Sequence, residues 1–156
     1  MWWWSRNGED RICGFLRGCA VTKVFLAAIG FLYVYLAIWC SVQPVETSRL
    51  VGFQLLPGSG QSEFLTVYGG LEMGLALILL WPLFRPEAAQ QALINCTLIH
   101  GCLVVFRTAG FVIFSGIEPM TWKLAGGEWV IFIVGCLLLF WSRRASGAGG
   151  GGVQRV

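Results

Sequence analysis

Two side chains of opposite charge stand inside apolar runs of this chain. Glu72 lies within Phe64–Phe84 (FLTVYGGLEMGLALILLWPLF), and Arg107 lies within Ala92–Phe114. An ionisable group in a lipid-spanning helix costs roughly 3 kcal/mol on translocon scales, and such groups mark ion pairs, ligand sites or proton paths. A carboxylate and a guanidinium that meet there neutralise one another, so the spacing predicts a Glu72–Arg107 pair. Tyr68 falls one turn before Glu72 on the same helical face. Glu63 and Glu128 fall near the ends of the second and fourth apolar runs, and complete a predicted network of three acids around one Arg. Two readings stay open: pairing that only holds helices in register, or a site for a ligand or a proton. His100, seven residues before Arg107, shares its face at greater depth. It is the only histidine. It reads either as a core residue with its hydrogen bonds satisfied or as a relay towards Arg107 and the acids.

No catalytic signature accompanies these residues. The chain has no P-loop, no G-x-S-x-G, no H-E-x-x-H and no C-x-x-C. No metal and no cofactor is predicted, and the balance leans away from an enzyme. The six cysteines, Cys13, Cys19, Cys40, Cys96, Cys102 and Cys136, mostly fall in or beside apolar runs and read as packing thiols. Cys13 and Cys19 flank the first run and are candidates for palmitoylation.

Composition names the solvent. The chain has 156 residues, 56% hydrophobic and only 12% charged, where soluble domains carry roughly 25% charged residues. Together with a mean hydropathy of +0.71, this excludes an ordinary soluble domain. The net charge of +3 is small and its basic residues flank the apolar runs, so lipid headgroups, not nucleic acid, are the expected partners. A helical span takes about 20 residues, and the chain divides accordingly. Residues 1–23 form a basic, Trp-rich leader. In it, Trp2–Trp4 suits the membrane interface, and Ile12, Phe15 and Leu16 suggest a short helix lying on the surface. Spans are predicted at about 24–43, 64–84, 92–114 and 124–141, and a Gly-rich tail at 142–156. The fold class is all-α: a polytopic membrane protein with a four-transmembrane-helix bundle.

Orientation follows from the basic residues. The leader, the loop at Arg85 and the tail hold eight Lys or Arg, against Arg49 and Lys123 on the other side. The excess marks the cytoplasmic face, which puts both termini there and agrees with an even number of spans. By helical rise, Glu72 lies about 12 Å and Arg107 about 10 Å below the outer ends of their spans, in one layer. Spans joined by a short loop are usually neighbours. Gly70 and Gly74 form a G-x-x-x-G pair, which permits close helix approach within the bundle or between copies.

The run Ser62–Leu75 (SEFLTVYGGLEMGL), then Arg85-Pro86, Phe106-Arg107 with Gly110, Ser115-Gly116 and a fourth helix opening at Glu128, resembles a bacterial family of small four-helix membrane proteins. That family is known as domain of unknown function 4345. The resemblance covers roughly Lys23 to Trp141, and its most specific part is Tyr-Gly-Gly-Leu followed by Gly-Leu. Members often carry an Arg three residues before Tyr-Gly-Gly, where this chain has Leu65. The resemblance implies the four-helix fold and a bacterial cytoplasmic membrane, and no activity. A more distant likeness to DoxX-type proteins implies association with quinone-linked complexes. The expected function is an accessory or scaffold subunit, or a binder of a lipid-like ligand. The alternative is a small enzyme or transporter that handles a quinone-like or anionic hydrophobic substrate at the Glu–Arg network. The expected partners are membrane lipid and a larger membrane complex or a second copy.

Overall fold

Helix formation satisfies every backbone polar group within its own segment, which hydrocarbon demands. The computed structural model meets that demand with an all-α chain. It describes the backbone of residues 6–147 and the side chains of residues 20–144. The Trp2–Trp4 run lies outside the described residues, as do the side chains of Cys13, Cys19, Ile12, Phe15 and Leu16 and the tail beyond residue 147. Among the described residues, four helices are long and apolar enough to cross a bilayer: Ala20–Val42, Ser59–Leu83, Pro86–Ile113 and Pro119–Arg144. Only 22% of each apolar window is buried within the chain, and Phe31, Phe106 and Val112 are exposed. Such an outer surface needs a lipid solvent.

The first span is the end of one helix, Arg6–Val42. No Pro interrupts it, so the segment predicted as a separate surface helix is continuous with the span. Gln43 then breaks the rod and Pro44 opens a short helix, Pro44–Leu50, where a missing N–H is harmless. Thr47 and Ser48 of that helix are buried, with their hydroxyls donating back to the carbonyls of Gln43 and Val45. A segment predicted as loop therefore carries a helical turn. The fourth helix starts at Pro119 and runs to Gly147. It takes in Gly126 and Gly127, as the predicted span did, and adds residues 119–123 and the first residues expected in the tail. Glycine in a helix is more frequent in membranes than in water.

The second span changes its winding. Ser59–Phe64 is α-helical, Leu65–Leu71 is π-helical, Glu72–Leu80 returns to α and Trp81–Leu83 tightens to a 3₁₀ turn. The Glu72 N–H reaches Val67 O, five residues back. One extra residue in a turn rotates everything after it by roughly 100° relative to a continuous α-helix. The direction in which Glu72 points is set here.

The bundle consists of two helix pairs. The first span packs along the second, and the third along the fourth. The first span also touches the third and fourth, and so joins the pairs. The second and third spans, though joined by a short loop, meet only sparsely. Glycines close both seams. Gly30 faces Leu80 and the Ala76 carbonyl, and Gly69 faces Ser41. In the other pair Gly101 faces Phe132 and Gly135 faces Thr97. The expected packing pair, Gly70 and Gly74, is not among them: nothing lies within 4 Å of where a Cβ would stand at either. Their face of the second span points away from the first.

The apolar core sits in the half of the bundle nearer the termini. Leu26, Leu79, Ala92, Leu93, Cys96 and Leu138 form it, one or more from each span. The other half, nearer the short helix, is left for polar groups.

Gly135 tests the seams. A Cβ there would lie 2.6 Å from Thr97 Oγ1, and Thr97 is β-branched, so rotation brings a methyl into the same space. Gly135→Ala should therefore destabilise by about 1–3 kcal/mol. Gly70→Ala should be neutral or slightly stabilising, as expected for an open helical position. Thermal unfolding in detergent measures both. Equal losses would show that the seams are not where the helix pairs place them.

Candidate functional site

Arg107 must meet an anion if it is to remain charged among apolar helices. It meets Glu128. The Arg107 Nε–H donates to Glu128 Oε2 at 2.6 Å, and Nη2–H donates to Oε1 at 2.5 Å. This two-pronged geometry is the strongest form of the contact. The side chains are 28% and 15% exposed, and the pair spans the closely packed seam between the third and fourth helices.

The predicted partner, Glu72, is elsewhere. Its Oε2 is shielded and accepts no hydrogen bond, and it makes no ion pair among the described residues. The physical reason is the pairing of helices. Depth alone allowed Glu72 to reach Arg107, but the second span packs on the first and not on the third, while Glu128 lies directly across a packed seam. Glu72 instead faces the first pair's interior. It lies within electrostatic range of Tyr33, Tyr68 and Cys40. Tyr68 in turn lies within electrostatic range of both Glu72 and Arg107.

Tyr68 is held by aromatic packing. Phe64 stacks on it at 4.5 Å, and Phe53, from the segment after the short helix, lies edge-on to both rings. Phe53 follows the turn at Val51 and Gly52. Its ring closes over the outer part of the second span. Glu63 is exposed near the start of that span, forms no ion pair among the described residues, and takes no part in the layer.

His100 is 1% exposed. Its Nδ1 lies 2.8 Å from the Cys96 carbonyl. A carbonyl only accepts, so Nδ1 carries the proton. Nε2 is then the acceptor, and Tyr33 donates to it from Oη at 3.2 Å. The two rings meet edge to face. His100 is thus a neutral core histidine with both nitrogens engaged. Tyr33 was not singled out from the sequence. The signal available was a Tyr in mid-span, whose hydroxyl must find a partner.

Tyr68, Glu72 and the Arg107–Glu128 pair form a polar layer in the half of the bundle nearer the short helix, and the Tyr33–His100 contact lies about 10 Å deeper, since His100 is seven residues before Arg107. Beneath the layer a narrow crevice runs between the second and third spans. Leu75, Ile78 and Leu79 form one wall and Cys96 and Ile99 the other, with Tyr33 and His100 at its end. Ile78 is exposed on the outer surface, so the crevice reaches the lipid side. Its space is no more than water-sized, and its lining is almost wholly apolar. No group of three or more metal-ligating side chains occurs among the described residues. Cys40, Cys96, Cys102 and Cys136 are all free thiols.

Fold and layer together define a small integral membrane protein of four spans with a polar stratum in its interior. Residues 21–141 match the family described as Domain of unknown function (DUF4345), and the chain belongs to that family. No curated protein and no solved structure matches it.

The ion pair makes a double-mutant prediction. Arg107→Leu or Glu128→Leu alone strands one charge and should destabilise by about 3 kcal/mol. The double replacement should recover most of that loss. Glu72→Gln breaks no ion pair and should leave stability unchanged or raised. Thermal midpoints in detergent test this, and rescue of Arg107→Leu by a change at Glu72 instead of Glu128 would sink the assignment.

Proposed function

We propose that this protein binds a lipid-like amphiphile within the membrane. The ligand's polar group sits in the layer at Glu72, and its apolar tail lies along the crevice between the second and third spans. The observation that carries this reading is the unpartnered Glu72 Oε2. A shielded carboxylate oxygen without a donor costs free energy in an apolar medium, and a bound donor removes that cost. The sparse contact between the second and third spans supports entry from the side, since those helices can part without breaking a packed seam.

The same layer weighs against the alternative of an enzyme or transporter for an anionic or quinone-like substrate. That reading relied on Arg107 as the binding group, and Arg107 is already held in two places by Glu128. An accessory role in a larger assembly has its own support: Gly70 and Gly74 face outward with open space before them, as a docking helix or a second copy requires. The excess of eight Lys or Arg over two favours both termini on the cytoplasmic face, and a bacterial cytoplasmic membrane is the setting that the resemblance implies.

Native mass spectrometry of the chain released from a bilayer tests the binding role. The expected result is a retained non-protein adduct that Glu72→Gln loses while the protein stays folded. A bare chain in both samples would refute it. For the accessory role, Gly70→Cys should give a crosslinked species in intact membranes under mild oxidation, and Ile133→Cys, on an exposed face of the fourth span, should not.

A further inference from the structure

We infer that the site at Glu72 selects a cationic head, a primary ammonium on an apolar chain, over an anionic or neutral one. This rests on the binding role just proposed and names the chemistry of its ligand.

Charge comes first. The layer holds one guanidinium and two carboxylates. Arg107 and Glu128 cancel in a single two-pronged contact, which leaves Glu72 as the net charge of the layer when it is ionised. A carboxylate in low dielectric stays ionised only beside a cation. An anionic head would add a second negative charge beside it, and nothing free in the layer would neutralise either.

Hydrogen bonding points the same way. The protons of His100 and Tyr33 are used: Nδ1–H on the Cys96 carbonyl, Oη–H on His100 Nε2. Tyr33 Oη therefore has only lone pairs to offer. Glu72 Oε2 is likewise a bare acceptor. Tyr33 lines the crevice, and Glu72 lies one helical turn before its wall residue Leu75, so the free valences on this side are acceptors. An ammonium carries three donors and no acceptor, so it complements both the charge and the lone pairs. A hydroxyl head answers the lone pairs alone. The wall of Leu75, Ile78, Leu79 and Ile99 then takes the hydrocarbon that such an amine must carry to reach this depth.

The test uses the full chain in phosphatidylcholine nanodiscs, with empty nanodiscs subtracted. Dodecylamine, dodecanol and dodecanoate are titrated in turn. Dodecylamine should bind saturably and at least about tenfold tighter than the other two, as one charge-assisted hydrogen bond implies. Glu72→Gln should abolish that preference and Glu72→Asp should keep it, which separates loss of charge from loss of fold. Saturable binding without preference for the amine, or preference that survives Glu72→Gln, would overturn the selectivity while leaving a binding role in place. No saturable binding of any of the three would overturn both. Adding phosphatidylethanolamine to the discs distinguishes the sources. If it competes with dodecylamine, a lipid headgroup supplies the ammonium. If it does not, the ligand is a free long-chain amine. Either result sustains the selectivity.

Discussion

A guanidinium among membrane helices has to be neutralised where it stands, and the arrangement of this protein follows from how Arg107 is neutralised. Its partner must lie across a seam tight enough to hold both prongs of the contact. The third and fourth spans provide such a seam, closed deeper in the bundle by Gly101 against Phe132 and Gly135 against Thr97. Once Glu128 is committed, the second acid of the layer is left over. The unsatisfied carboxylate at Glu72 is thus a consequence of where the strong pair formed.

The division into two helix pairs gives that leftover its surroundings. Between helices in lipid there is no hydrophobic force, because acyl chains are as apolar as leucine; close packing and polar contacts do the work instead. Small residues let the first and second spans approach at Gly30 and Gly69, and the third and fourth at Gly101 and Gly135. No such glycine joins the second span to the third. That seam stays loose, and the narrow crevice ending at Tyr33 and His100 lies along it. The π-helical turn at Leu65–Leu71 contains Gly69, which faces Ser41 of the first span. Winding the backbone wider there accommodates the close approach and turns Glu72 inward, in keeping with the frequent placement of such turns at functional sites.

Much of the architecture was legible beforehand. Four apolar runs of about the length a helical span needs point to membrane helices, and the family assignment over residues 21–141 agrees. Errors gathered at boundaries. Pro44 and Pro119 open helices where loops were expected, because proline suits a first turn as well as a break. The site was legible in its members more than in its bonds. Arg107 bonds Glu128 and not Glu72; His100 lies deeper and bonds Tyr33, which the sequence did not single out; Glu63 stands exposed and apart.

By itself the sequence determined the solvent, the number of spans and the height of each ionisable group, because apolar length and helical rise are properties of one segment at a time. Which acid meets Arg107, which glycines face a neighbour and where a seam is left loose are properties of pairs of segments. They depend on the rotation of each helix about its axis, and a single π turn in the second span shifts that rotation by about a quarter of a circle. Only the packed structure could decide them.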